Sequence, residues 1–168
     1  MGRTIPANQP ISRFMELILW RHAEAEDRHP DMARALTVAG HAQAEKMAAW
    51  LKPQLTAGTR ILVSPAIRAQ QTAAALGLDF STLEALAPGA SAQTLLQAAD
   101  WPQAPGTTLV ISHQPALGMA AAFAMTGYAS YWSVKKAAVW WLVCRGREAD
   151  RQVVLRTVMS PEQLPVVS

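Results

Sequence analysis

Leu17-Ile18-Leu19-Trp20-Arg21-His22-Ala23 sets four apolar residues directly before an Arg-His pair. A continuous apolar run this short, rich in Leu and Ile, predicts a strand buried on both faces of a sheet. Water and a charged ligand reach such a strand only at its end. There the sequence places a permanent cation beside an imidazole that can act as nucleophile or base near neutral pH.

Two further strands follow the same pattern. Arg60-Ile61-Leu62-Val63 runs into Ser64-Pro65, and Thr107–Ile111 runs into Ser112-His113-Gln114-Pro115. Ser64 as N-cap and Pro65 at the first helical position predict a helix from Ala66 to about Leu76, carrying Arg68 near its positive end. Pro115 predicts a second helix, from Ala116 to about Thr126. It is rich enough in Ala and Met to be buried, and Gly127 is placed to end it.

Between the first two strands lies a polar loop, Glu24–Arg34, then a helix capped by Thr37. Ala44, Met47, Ala48, Leu51 and Leu55 recur there at helical spacing, and Pro53 should stop the helix near Leu51. His41 falls in its first turns as a surface residue. Leu78–Gly89 reads as a loop with a short extended piece, and Ser91 caps a helix over Ala92–Ala99 with Leu95 and Leu96 inward. At the carboxyl end, Ala137–Cys144 and Val153–Val158 form a hairpin across the charged turn Arg145–Arg151, before a last helical turn at Ser160-Pro161-Glu162. The order predicts an α/β fold: a three-layer sandwich whose mainly parallel sheet is flanked by helices, with a C-terminal hairpin strand at or near an edge.

Length and composition fit one domain. A chain of 168 residues, 51% apolar and 16% charged, can bury a single core. We assign it to residues 14–168 and expect residues 1–13, which lack an apolar signal core, to be a flexible extension. The formal net charge of +3 suits an anionic ligand. Lys135-Lys136 is the only adjacent basic pair, however, and no basic stripe with interleaved aromatics predicts a nucleic-acid partner. No stretch has the length of a membrane span. The single cysteine, Cys144, excludes an intrachain disulfide and a cysteine-cluster zinc site, and fits a reducing, cytoplasmic setting.

Parallel strands bring their carboxyl ends to one sheet edge, where ligands of open α/β sheets collect. Arg21, His22, Arg68 and His113 thus converge in the sequence reading. Four cationic or cationisable groups make sense together around an anion with several oxygens, phosphoryl above all. Fixed cations disfavour a divalent ion, so no metal or other cofactor is expected. No G-x-S-x-G elbow supports a serine nucleophile, and Cys144 lies elsewhere.

These residues resemble a known family. Arg21-His22-Ala23-Glu24-Ala25 is similar to the R-H-G/R-H-A signature of the histidine phosphatase superfamily, with Ala23 where Gly is more usual. Leu36-Thr37-x-x-Gly40-x-x-Gln43-Ala44, Ser64-Pro65-x-x-Arg68-Ala69-x-Gln71-Thr72-Ala73 and Ser112-His113-Gln114-Pro115 resemble its other segments, Ser112 standing where many members have Gly. The small size and short Leu83–Gly89 link look most like the SixA-type phosphohistidine phosphatases. The resemblance implies a metal-independent hydrolase with His22 as phosphoryl-accepting nucleophile. Arg21, Arg68 and a protonated His113 would then bind the phosphoryl group, with Glu84 the candidate general acid. It implies a phosphorylated protein as substrate. The alternatives are a phosphatase of small phosphomonoesters, such as sugar or nucleotide phosphates, and a non-catalytic phosphate-binding module.

Overall fold

The computed structural model describes residues 14–146 and 148–166, so the expected extension at residues 1–13 lies outside the described residues. Within them, six strands form one sheet in the order β3-β2-β4-β1-β5-β6. They are β1 (Met15–Arg21), β2 (Arg60–Val63), β3 (Ser81–Thr82), β4 (Gly106–Ser112), β5 (Val139–Arg145) and β6 (Gln152–Met159). The first four are parallel; β5 runs antiparallel to β1, and β6 antiparallel to β5. The expected hairpin therefore forms, with β6 on the edge. Its residues alternate between exposed and half-buried, as an edge strand with one covered face requires.

Four helices cover the two faces: α1 (Val38–Leu51), α2 (Ile67–Ala74), α3 (Ala92–Ala98) and α4 (Ala116–Thr126). Side chains alternate along β1, so Ile18 and Trp20 pack with Met47, Leu51, Ala69 and Ala73 of α1 and α2. Leu17 and Leu19 face Leu95, Leu96, Leu117 and Ala121 of α3 and α4 on the opposite side. Both faces of β1 are therefore inaccessible, which is why its sequence shows no polar alternation. No helix of the described residues is long and apolar enough to cross a membrane.

The chain leaves β1 for α1 on one face and leaves the adjacent β4 for α4 on the other. Diverging helices open a crevice above the strand ends. The register pairs Arg21 with Ser112 and Val63 with Ile111, so three strands end side by side.

Ser64, expected to cap the helix after β2, does not do so. The helix after β2 begins at Ile67, its N-cap is Ala66, and no side chain caps it. The Ser64 hydroxyl is engaged elsewhere. By contrast, Thr37 and Ser91 do cap α1 and α3, accepting from the amides of Gly40 and Thr94.

Candidate active site

His22 follows β1 directly, and its amide donates to the Ser112 carbonyl at 3.2 Å, which ties the ends of β1 and β4 together. Its ring is buried. Nδ1 lies 2.7 Å from the Ala23 carbonyl, and a carbonyl can only accept, so the ring proton sits on Nδ1. Nε2 therefore carries the lone pair, and Arg68 Nε donates toward it at 3.3 Å. Burial is the main cause that lowers the His22 pKa to about 4, and the charges of Arg68, Arg21 and Arg34 lower it further; the bond to Ala23 opposes them. Burial and these charges thus favour a neutral His22 whose Nε2 is unprotonated and faces Arg68, the form a nucleophile needs.

Two segments grip the residues that follow it. Ala23 donates its amide to Thr72 Oγ1 of α2 at 3.0 Å, and Thr72 in turn donates to the Arg68 carbonyl at 2.7 Å. Glu24 donates its amide to Gln43 Oε1 of α1 at 3.0 Å, while its carbonyl accepts from the Thr37 amide at 3.0 Å. A Cβ on Gly40 would stand 2.0 Å from the Glu24 carbonyl oxygen, so only glycine allows α1 this close. Gln71 Oε1 accepts from the Leu36 amide at 2.7 Å, joining α2 to the start of α1. Gln43, Gln71, Thr72 and Gly40 are therefore the clamps that hold the strand end, outside the reacting centre.

Arg68, on the first turn of α2, is 4% exposed. Its two terminal nitrogens donate to Asp31: Nη1 to the carbonyl at 2.8 Å and Nη2 to Oδ2 at 3.1 Å. This pins the guanidinium with Nε toward His22. The Arg68 and Arg34 guanidiniums hold the Asp31 carboxyl below the usual range against a desolvation that would raise it. Asp31 has no place among the residues expected from sequence. It begins a short 3-10 turn, Asp31–Ala33, 37 residues from its partner, and the only signal was an acid in the polar stretch after β1.

Arg21 donates Nη1 to the Val134 carbonyl at 2.8 Å, and its Nε is buried without a hydrogen-bond partner among the described residues. His113 follows β4, with its ring centroid 5.1 Å from that of His22. Its Nε2 is 2.7 Å from Ser64 Oγ, and its Nδ1 is the second buried polar atom lacking a partner among the described residues. Burial, then the neighbouring His22 and Arg68, push the His113 pKa down to about 3. Burial and the positive neighbours thus favour the neutral ring, and the protonated form that the resemblance implies would need an anion beside it.

The structure gathers Arg21, His22, Arg68 and His113 at one sheet edge, and the two orphaned polar atoms belong to that group. Glu84 is different. It begins a short helical turn, Glu84–Leu86, just after Leu83 pairs with Val63, and it is exposed. Its side chain forms no hydrogen bond or ion pair among the described residues, with the four or with any other group. Ser112 anchors that turn by donating Oγ to the Leu86 carbonyl at 3.0 Å, a bond that glycine at this position could not make.

Residues 17–87 match the family model described as Histidine phosphatase superfamily (branch 1). An uncharacterised protein of Picosynechococcus sp. is 36% identical over 138 residues, spanning 74% of this chain and 82% of that one. A phosphohistidine phosphatase SixA homolog of Haemophilus influenzae is 35% identical over 120 residues, 62% of this chain and 73% of the other. Among solved structures, that of the protein histidine phosphatase SixA complexed with tungstate superposes with a TM-score of 0.71 at 28% identity, over 90% of this chain and all of that one. The chain belongs to the histidine phosphatase superfamily, in its SixA-like branch.

Proposed function

We propose that this protein removes phosphate from phosphohistidine in a protein, through a phosphoryl group carried transiently on His22. The observation that carries the reading is the fixed tautomer of His22: its proton is held on Nδ1 by Ala23, and its bare Nε2 is turned to a guanidinium. A neutral nitrogen nucleophile beside fixed cations suits an electrophile that is itself anionic.

In this reading Nε2 attacks phosphorus in line, a phosphorus–nitrogen bond to His22 forms, and the bond to the leaving nitrogen breaks. A substrate ring protonated on its other nitrogen leaves as neutral imidazole and needs little further help. Water then attacks the phosphoryl group, loses a proton to solvent or to phosphate, and His22 departs with Nε2 bare again. Arg21, Arg68 and the N–H of His113 neutralise the equatorial oxygens as charge spreads in the transition state. Two of the five N–H groups of Arg68 are spent on Asp31 and Nε–H points at His22 Nε2, which leaves one N–H on each terminal nitrogen for phosphoryl oxygens. Protein cations carry the charge, so the reading requires no metal. The kinship with a SixA structure that holds tungstate, an oxyanion of similar shape, supports it.

The exposed, unengaged Glu84 favours phosphohistidine over alkyl phosphates, because an alkoxide leaving group needs a positioned acid. The test is turnover of a phosphohistidine peptide beside aryl and alkyl phosphomonoesters, with chelator present. Rates should fall steeply as the leaving-group pKa rises, and Glu84→Gln should change phosphohistidine turnover only modestly. Alkyl phosphates turning over as fast as aryl ones, with that activity lost in Glu84→Gln, would replace this reading by a small-molecule phosphomonoesterase.

A further inference from the structure

Ser64 closes β2 and is wholly buried. The Ser-Pro pair that follows the strand looks like a helix start, yet its hydroxyl caps no helix. Its Oγ has two neighbours: the Ala66 amide, which donates to it at 3.2 Å, and Nε2 of His113 at 2.7 Å. The backbone around it is fixed, since the Ser64 amide donates to the Ile111 carbonyl at 3.0 Å and the Ser64 carbonyl accepts from Gln70 Nε2 at 2.7 Å.

A hydroxyl carries one proton and two lone pairs. The Ala66 amide already donates into Oγ, so the remaining neighbour for the Ser64 proton is His113 Nε2. A neutral imidazole that accepts at Nε2 keeps its own proton on Nδ1. That nitrogen is the buried polar atom with no partner among the described residues, in the ring 5.1 Å from His22. We infer that Ser64 is a positioning residue that fixes His113 as its Nδ1–H tautomer, so that the ring presents an N–H to a phosphoryl oxygen. The inference rests on the proposed phosphoryl chemistry for its purpose, but its geometry stands apart from it. The opposite tautomer gives Oγ two donors and leaves the serine proton unplaced. It also sets a lone pair on Nδ1, in a site whose other groups, His22 Nε2 apart, are donors, where it would repel an anion. Burial keeps the ring neutral, so the tautomer decides whether His113 attracts or repels.

The test is a long-range proton–nitrogen correlation spectrum of protein labelled with nitrogen-15 histidine, near pH 7, alone and with vanadate. In the wild type, His113 Nε2 should show the shift of an unprotonated ring nitrogen and Nδ1 that of a protonated one. In Ser64→Ala the tautomer should shift toward Nε2–H, with vanadate affinity falling roughly ten- to a hundred-fold for a lost charge-assisted bond. A wild-type spectrum with the proton on Nε2 overturns the inference, and so does a folded Ser64→Ala variant with the same tautomer and undiminished vanadate affinity. The wild-type spectrum needs no variant to fold and no substrate. Its failure is therefore separate from that of the phosphatase reading, which phosphohistidine turnover judges.

Discussion

At the scale of the residue, burial and fixed positive charges favour the neutral forms of His22 and His113. Burial lowers the pKa of His22 to about 4 and that of His113 to about 3, so their titration midpoints by NMR should lie far below the ordinary 6.5. A midpoint near 6.5 for His22 would contradict its burial beside Arg68. A histidine whose folded pKa is depressed binds its proton more readily unfolded, so stability is full above about pH 6.5 and is lost as pH falls from there to the folded values. His113→Asn should flatten that acid loss in urea unfolding measured from neutral pH to about pH 4, and an equal slope in wild type and variant would remove His113 as a cause. Arg68→Ala should weaken vanadate binding by roughly 1.5–3 kcal/mol, as the loss of a charge-assisted bond implies; unchanged affinity would take Arg68 out of the phosphate site. Arg21, His22 and His113 were legible in the sequence because each closes a buried strand, and Arg68 because a helix start follows one. Asp31 and Ser64 were not. Asp31 begins a three-residue 3-10 turn too short to leave a period, and Ser64 stands in a Ser-Pro pair whose local meaning, a helix cap, hides a partner 49 residues away.

At the scale of the element, the strand end carrying His22 is held by two helices, whose side chains bond its backbone amides. The close approach of α1 at Gly40 is the tightest of these, since a Cβ there would overlap the Glu24 carbonyl at 2.0 Å. Gly40→Ala should cost roughly 1–3 kcal/mol in denaturant unfolding and lower turnover, because the residue after Ala23 must move. Unchanged stability and turnover together would show that the strand end tolerates the shift. The buried strands β1, β2 and β4 were plain in the sequence because their apolar runs are short and bounded. The edge strand β6 was read from β-propensity and its hairpin. The two-residue β3 was only foreseen as an extended piece, since so short a strand leaves no periodicity. The start of α2 was misplaced because nothing in the sequence shows whether a serine hydroxyl turns to its own helix or across the sheet edge.

At the scale of the whole molecule, a parallel sheet gathers side chains from three distant segments, and antiparallel β5 and β6 extend it away from the site. That convergence was readable because parallel order follows from alternating strands and helices. Which groups touch was not, because distances between loops depend on packing and not on pattern. The central claim is that His22 carries the phosphoryl group between two half-reactions. Rapid quenching of the wild-type protein during turnover of an aryl phosphate or phosphohistidine peptide, followed by mapping of the modified residue, tests it most directly. The account predicts acid-labile, base-stable phosphate on His22, and a folded His22→Ala variant with neither label nor turnover. Sustained turnover in His22→Ala, or phosphate trapped on a different residue, would contradict it.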